Sequence, residues 1–248
     1  MRKKTLYQQQ GSCPIIFRRT LLLFTIFSLF LSGCGQTGPA SLTTDEIIQK
    51  ASQRMASLKG FHFVIDRSGS PAFLDTAETY SFRRAEGDFV APDSAQASVR
   101  IITPGLIAEI QCIGMGDRYW ETNVLSGEWT ALPPEQGFNP AVLFDPEIGF
   151  QTIIEGDLTG LTRLEDEELE ELPGRPLYVL SGKMRGEHIN TMSYGLMGPQ
   201  EMEIRLWIDP ETFDMHRILI TQSRPDNEPT LWQIDFWDFD QVVTITAP

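Results

Sequence analysis

Histidine and cysteine are scarce, three of each in 248 residues, and neither set supports the chemistry these side chains usually carry. His62, His188 and His216 lie far apart, and no G-x-S-x-G, H-E-x-x-H, phosphate-loop or EF-hand pattern accompanies them. An exported hydrolase would need a nucleophile–base pair that the sequence does not display. Gly33-x-Gly35-x-x-Gly38 has the spacing of a dinucleotide fingerprint, but it neither follows a strand nor opens a helix, so no cofactor is called for. Long apolar runs are missing too. The run Leu21–Leu31 is about half the ~20 residues a membrane span needs. Positive charge is short, with 20 Lys+Arg against 34 Asp+Glu and a formal net charge of −14. Such a body is repelled by phosphate backbones, which excludes nucleic acid as a natural partner.

What is present begins with a basic head (Arg2, Lys3, Lys4, Arg18, Arg19), then the apolar run, then Leu31-Ser32-Gly33-Cys34. That is the grammar of a secretory signal peptide. An exit of small residues ending in cysteine resembles the lipobox of bacterial lipoproteins. The resemblance implies cleavage between Gly33 and Cys34, a diacylglyceryl group on the Cys34 thiol and acylation of the new amine. The competing reading, an uncleaved anchor helix, is disfavoured by the short apolar run. The expected organisation is a signal peptide over 1–33, a flexible tether over 34–42 and one domain over 43–248. Loss of the leader removes five cations and no acid, so the mature charge falls to −19. Membrane attachment must then come from acyl chains, at ~0.8 kcal/mol per buried CH₂. Cys13 departs with the leader and Cys34 carries lipid, leaving Cys112 without a disulfide partner. Its context, Ile110-Gln111-Cys112-Ile113, suits a small buried hydrophobe better than a catalytic thiol.

Thr43-x-x-Glu46 is a capping box and Leu42 with Ile47 a hydrophobic staple. Ile47, Ile48, Ala51, Met55 and Leu58 follow at helical spacing, which predicts a helix near Thr43–Lys59 stopped by Gly60. The period then changes to two. Strands are predicted near 61–66, 79–84, 97–103, 106–113, 117–123, 158–164, 176–183, 201–208, 215–221, 231–239 and 242–245. Leu106, Ala108, Ile110 and Cys112 alternate with Glu109 and Gln111, as in a half-buried antiparallel sheet. Two short helices are expected mid-chain, Asn139–Phe144 and Pro146–Glu155, with Pro140 and Pro146 in their first turns. Gly186–Gln200 reads as a long, polar, exposed loop. The expected fold is α+β: a single strongly curved antiparallel sheet of about ten strands, a half-barrel, with the N-terminal helix and the mid-chain helices against its concave side.

Three segments, in order, resemble the mycobacterial-type LppX/LprA/LprF/LprG lipoprotein family. They are Gly116-Asp117-Arg118-Tyr119-Trp120 with Leu125-Ser126-Gly127-Glu128-Trp129, Asn139-Pro140-Ala141-Val142-Leu143-Phe144-Asp145-Pro146-Glu147-Ile148-Gly149, and Leu206-Trp207-Ile208-Asp209-Pro210-Glu211-Thr212. The resemblance implies a half-barrel like that of the carriers LolA and LolB, enclosing an apolar cavity for acyl chains of lipids or glycolipids. One departure is the turn Thr212-Phe213-Asp214-Met215, where the family usually has Gly and Pro. Asp214 tolerates left-handed geometry, so a hairpin is still expected.

If a cavity exists, its candidate lining is Phe61, Phe63, Ile65, Val142, Phe144, Ile153, Met202, Ile204, Leu206 and Ile208. Trp232, Ile234 and Phe236 suit a filled core equally well. The run Glu165–Glu171 packs six acids into seven positions, but consecutive acids in a strand alternate faces, so a solvated hairpin end outweighs a calcium site. Asp235, Asp238 and Asp240 receive the same reading, and no metal is expected. The function these readings imply is a non-catalytic, lipid-anchored lipoprotein on the extracytoplasmic face of the cell membrane. It would be a monomer carrying lipid or glycolipid acyl chains, with an unidentified envelope transporter as a partner. The alternative is a cell-surface protein-interaction lipoprotein with a filled core and no ligand cavity.

Overall fold

The computed structural model describes residues 42–133, 139–145, 147–225 and 227–248. The leader, Gly33, Cys34, Pro146 and all of the expected tether except Leu42 lie outside the described residues. Helix α1 spans Thr44–Ser57, and its capping box is in place. The Glu46 N–H donates to Thr43 Oγ1 at 3.2 Å, and the Thr43 N–H donates to Glu46 Oε2 at 2.8 Å. These bonds hold the Glu46 carboxyl below its usual range. Ile47, Ile48, Ala51, Ser52 and Met55 form the buried stripe. Gly60 is not the stop. Leu58, buried, leaves helical geometry first, with ψ at 137°. Gly60 instead opens strand β1, where a Cβ would lie 2.4 Å from the Gln241 carbonyl oxygen and 2.9 Å from that of Phe89. Its smallness serves close backbone approach.

Eleven strands follow: β1 (Gly60–Gly69), β2 (Ser81–Val90), β3 (Ser94–Thr103), β4 (Leu106–Met115), β5 (Arg118–Thr122), β6 (Trp129–Leu132), β7 (Leu158–Arg163), β8 (Tyr178–Met184), β9 (Met202–Ile208), β10 (Met215–Gln222) and β11 (Thr230–Trp237). They form one open antiparallel sheet in the order β6-β5-β4-β3-β2-β1-β11-β10-β9-β8-β7. The chain meanders outward from β1 to one edge, crosses to the far edge, and meanders back until β11 pairs with β1, Phe63 opposite Phe236. The crossover must pass over a face of the sheet. It does so as a 3₁₀ turn, Pro140–Phe144, and helix α2, Phe150–Gly156, which lie with α1 inside the half-barrel.

Alternation decides what each strand contributes. Phe61, Phe63 and Ile65 of β1, Met202, Ile204, Leu206 and Ile208 of β9, and Trp232, Ile234 and Phe236 of β11 all join one core with the helices. At about 1.5–3 kcal/mol for each fully buried large apolar side chain, this core dominates stability. Phe144 sits at its centre, with ring centroids 4.8 Å from Phe61, 5.1 Å from Phe63 and 5.0 Å from Phe89.

Several expectations need correction. Strand β6 was not expected; four residues between Gly127 and Pro133 carry too little alternation to declare themselves. Residues 242–245 are not a strand, because β11 already pairs on both sides, with β1 and β10, and leaves no edge for them. Gly186–Gln200 is not an exposed loop. It begins with helix α3, Gly186–Met192, and buries Ile189, Met192 and Met197. The acidic run is only partly solvated. Leu169 within it is buried with Leu177, Val179 and Trp207 on the outer face of the sheet, and Glu167 accepts the Trp207 indole N–H at 2.9 Å. In the β9–β10 turn it is Phe213, not Asp214, that takes left-handed geometry, with φ at 60°. Asp209 stabilises that turn by accepting the N–H groups of Glu211 and Thr212 at 2.8 and 3.0 Å.

Candidate functional site

The ten candidate lining residues all belong to the core, nine of them buried and Val142 half-buried. The structure packs them against one another rather than around a hollow. Within the trough a cavity of about 30 Å³ remains, bordered by Phe63 and Ile65 of the ten, together with Phe82, Ala97, Leu143, Phe150, Met197 and Trp232.

A larger apolar space adjoins it. A cleft of about 310 Å³ opens between the concave face of β3–β5 and the turn after α3. It is lined by Leu74, Phe82, Val99, Ile110, Cys112, Tyr119, Glu121, Ser193, Tyr194 and Leu196. Phe82, Val99, Ser193 and Leu196 border both spaces and form the wall between the cleft and the interior. Sequence reasoning missed most of this lining, although Ile189, Met192 and Leu196 stand at helical spacing and signalled an apolar face in the segment read as a loop. Three bonds hold that segment in place. Buried Asp157 pairs with Arg185 at 2.6 Å and with His188 at 2.6 Å, and Asn190 donates to the Met197 carbonyl at 2.7 Å.

The cleft has one polar spot. Tyr119 Oη lies 2.8 Å from Glu121 Oε2, which accepts its proton, and 3.3 Å from Cys112 Sγ. Burial pushes the Cys112 thiol up to about 11, and burial with the neighbouring Cys112 and Glu121 pushes the Tyr119 phenol upward as well. Both stay protonated at neutral pH. Cys112 is therefore a poor nucleophile.

A third space, of about 550 Å³, lies on the outer face of the sheet beside Leu169, Leu172 and Trp237. Asp66, Arg84, Glu171, Arg217 and Asp235 also line it, and they are paired among themselves: Arg217 with Asp235 at 2.5 Å and with Glu171 at 3.1 Å, and Arg84 with Asp66. Burying an acyl chain there would strip water from five charged groups, at considerable cost. The smaller cleft is the better apolar site. Among the described residues no group of His, Cys, Asp and Glu is placed to hold a metal ion. Asp235 is spent on Arg217, and Asp240 on Arg54 at 2.7 Å. Among the described residues no helix is long and apolar enough to cross a membrane.

A single curved antiparallel sheet folded over helices, with an apolar cleft at its concave side, defines an open half-barrel. The sequence model of the LppX_LprAFG lipoprotein family matches residues 43–245. The chain belongs to that family. The crystal structure of LprF from Mycobacterium bovis is similar at 17% identity and a TM-score of 0.60, covering 82% of this chain and 96% of that one. That of the Mycobacterium tuberculosis lipoprotein LppX is similar at 13% identity and a TM-score of 0.57, covering 82% and 97%. A LolA superfamily protein from Nitrosomonas europaea aligns over 83% of this chain and 96% of that chain at 12% identity, but its TM-score of 0.31 is too low to argue from. No curated protein matches.

Proposed function

We propose that this chain is a membrane-anchored, extracytoplasmic lipoprotein that binds or carries acyl chains of lipids or glycolipids without catalysing a reaction. The signal peptide 1–33 is removed, Cys34 carries the lipid anchor, and residues 35–42 tether a monomeric domain close to the membrane. The observation that carries this reading is the apolar cleft of about 310 Å³, at the lower end of the range for small-molecule sites. Its mechanism is passive. An acyl chain leaving the bilayer exchanges one apolar environment for another, so transfer at ~25 cal/mol per Å² balances on both sides. Entry deeper than the cleft requires Leu196 and Met197 to move, because the cavity behind them is so small. The tether raises the effective concentration of the domain at its donor membrane, and release to an envelope transporter would complete the cycle.

A second reading has its own support. An interior reduced to about 30 Å³ suits a packed scaffold that presents loops to a protein partner. Native mass spectrometry of the protein purified from bacteria separates the two. The carrier reading predicts co-purifying lipid, or uptake of an offered single-chain lipid at one per protein. Protein that is lipid-free apart from its anchor, and that refuses offered lipid, sinks it.

A further inference from the structure

At one end of the concave face the apolar pattern breaks. Arg67 continues the series Phe61, Phe63, Ile65 of β1 and is only 5% exposed. Gln222 continues the series Ile218, Ile220 of β10 and is equally buried. Register brings these strand ends together: Gln222 lies opposite Thr230, Thr230 opposite Gly69, and Trp232 opposite Arg67. Arg67 donates from Nε to the Phe82 carbonyl at 2.7 Å and from Nη1 to the carbonyls of Gly69 and Ser70 at 2.9 and 2.8 Å. Its Nη2 has no partner among the described residues, and no carboxylate pairs with it.

Its charged neighbours are cations. Burial, and then repulsion from Arg83 and Arg224, pull the Arg67 guanidinium down from its ordinary value. Arg83 donates to the Arg67 carbonyl and reaches Asp66 at 3.8 Å, a carboxylate it shares with Arg84. Arg224 makes no hydrogen bond or ion pair among the described residues, and its Nε is buried. Ser81 Oγ, Gln222 Oε1 and Trp232 Nε1 are likewise buried without a partner. Three guanidiniums gathered beside buried polar atoms without partners are costly. A cleft of about 340 Å³ reaches Arg67 and Ser81 of this group, with Phe73 and Ile102 also in its lining. Glu78, exposed at the rim, is its one carboxylate.

We propose that Arg67 and Arg224, with Arg83 and Ser81, form a binding site for a phosphate-type oxyanion. The planar guanidiniums match phosphate oxygens in geometry, and a dianion offsets charge on Arg67 and Arg224 that no carboxylate among the described residues compensates. The source favoured by the surroundings is the headgroup of an amphiphile. Ile102 borders the cleft, and Leu106 and Ile107 at the tip of the same hairpin are 52% and 64% exposed. This site is argued from its own residues and goes beyond the acyl-chain reading without requiring it.

The test is isothermal titration of the full-length chain, held in phosphatidylcholine nanodiscs at constant ionic strength, with inorganic phosphate and then with dibutanoyl phosphatidic acid. Saturable binding of either is expected, weakened roughly tenfold or more in Arg224→Gln, the value of one charged hydrogen bond. Arg224 bonds to nothing among the described residues, and a melting temperature within a few degrees of wild type checks that the variant stays folded. Glu78→Gln should tighten binding. Phosphatidic acid binding the more tightly identifies a headgroup, and phosphate alone identifies a free anion; both support the site. Leu196→Trp, which narrows the acyl cleft, should leave phosphate binding unchanged, so the two readings fail separately. Absence of binding by both probes at millimolar concentration, or affinity unchanged in Arg224→Gln, overturns the proposal.

Discussion

Phe144 stands edge-on to Phe61, with ring centroids 4.8 Å apart and the planes at 86°. The contact fastens the crossover to the sheet it passes over. Phe63, Phe89 and Phe236 surround the same ring, so the trough is plugged where a ligand would otherwise lie.

Phe144→Ala should therefore destabilise the domain by about 3–5 kcal/mol, the usual cost of deleting a buried phenyl. The melting temperature measured by calorimetry should fall by roughly 10 °C for a domain of this size. A fall of only a degree or two would mean that the crossover is not packed as described.

Gly114 and Asn139 make a second, tighter contact. A Cβ on Gly114 would lie 1.8 Å from Asn139 Oδ1, the atom that caps the 3₁₀ turn by accepting the Ala141 N–H at 3.0 Å. Gly114→Ala should cost about 1–3 kcal/mol in denaturant unfolding, as overpacking does. In an Asn139→Gly background the same change should cost clearly less, since the two residues share one contact. Equal costs in both backgrounds would contradict this.

Stability should also depend on pH through His216. Burial holds its imidazole below the ordinary value, outweighing the attraction of Asp209 and Asp214. Below about pH 6.5 the unfolded chain takes up a proton that the native state resists. Stability is thus complete above the unfolded value and is lost as pH falls through it toward the lower native value. The carboxylates held low, Glu46, Asp209 and Asp240, add a further loss only at more acidic pH. Melting temperatures between pH 7.5 and 5.5 should decline in the wild type and decline less in His216→Gln. Parallel profiles would rule this out.

Much of the fold was legible because local and global signals agreed. Thr43 and Glu46 announced α1, and the alternation in Met202–Ile208 marked a strand with one apolar face. The features that escaped the sequence depend on partners. Trp207, on the opposite parity to Ile204, Leu206 and Ile208, is buried because the Glu165–Glu171 segment folds back over it. The filled interior was not decidable, because Phe61, Phe63 and Ile204 look the same whether they border a hollow or another ring. Two signals were present and passed over. Leu196 continues the apolar spacing of α3, and Arg67 and Gln222 sit on the apolar parity of their strands, where a charged or amide group is out of place without a purpose.

The cleft itself can be narrowed by substitution. Leu196 is half-buried at the shared wall of cleft and interior. Leu196→Trp should narrow the cleft of about 310 Å³ and reduce acyl-chain uptake in native mass spectrometry, with the melting temperature changed by only a few degrees. Undiminished uptake would place the chain elsewhere.

The most direct measurement is photo-crosslinking of the full-length protein with a diazirine-bearing fatty acid, followed by mapping of the labelled peptides. Labels on Leu74, Ile110 and Leu196 are predicted, with clearly fewer on Leu74 and Ile110 in Leu196→Trp. Labels concentrated at Leu172 and Trp237 on the outer face, or no labels at all, would contradict the account.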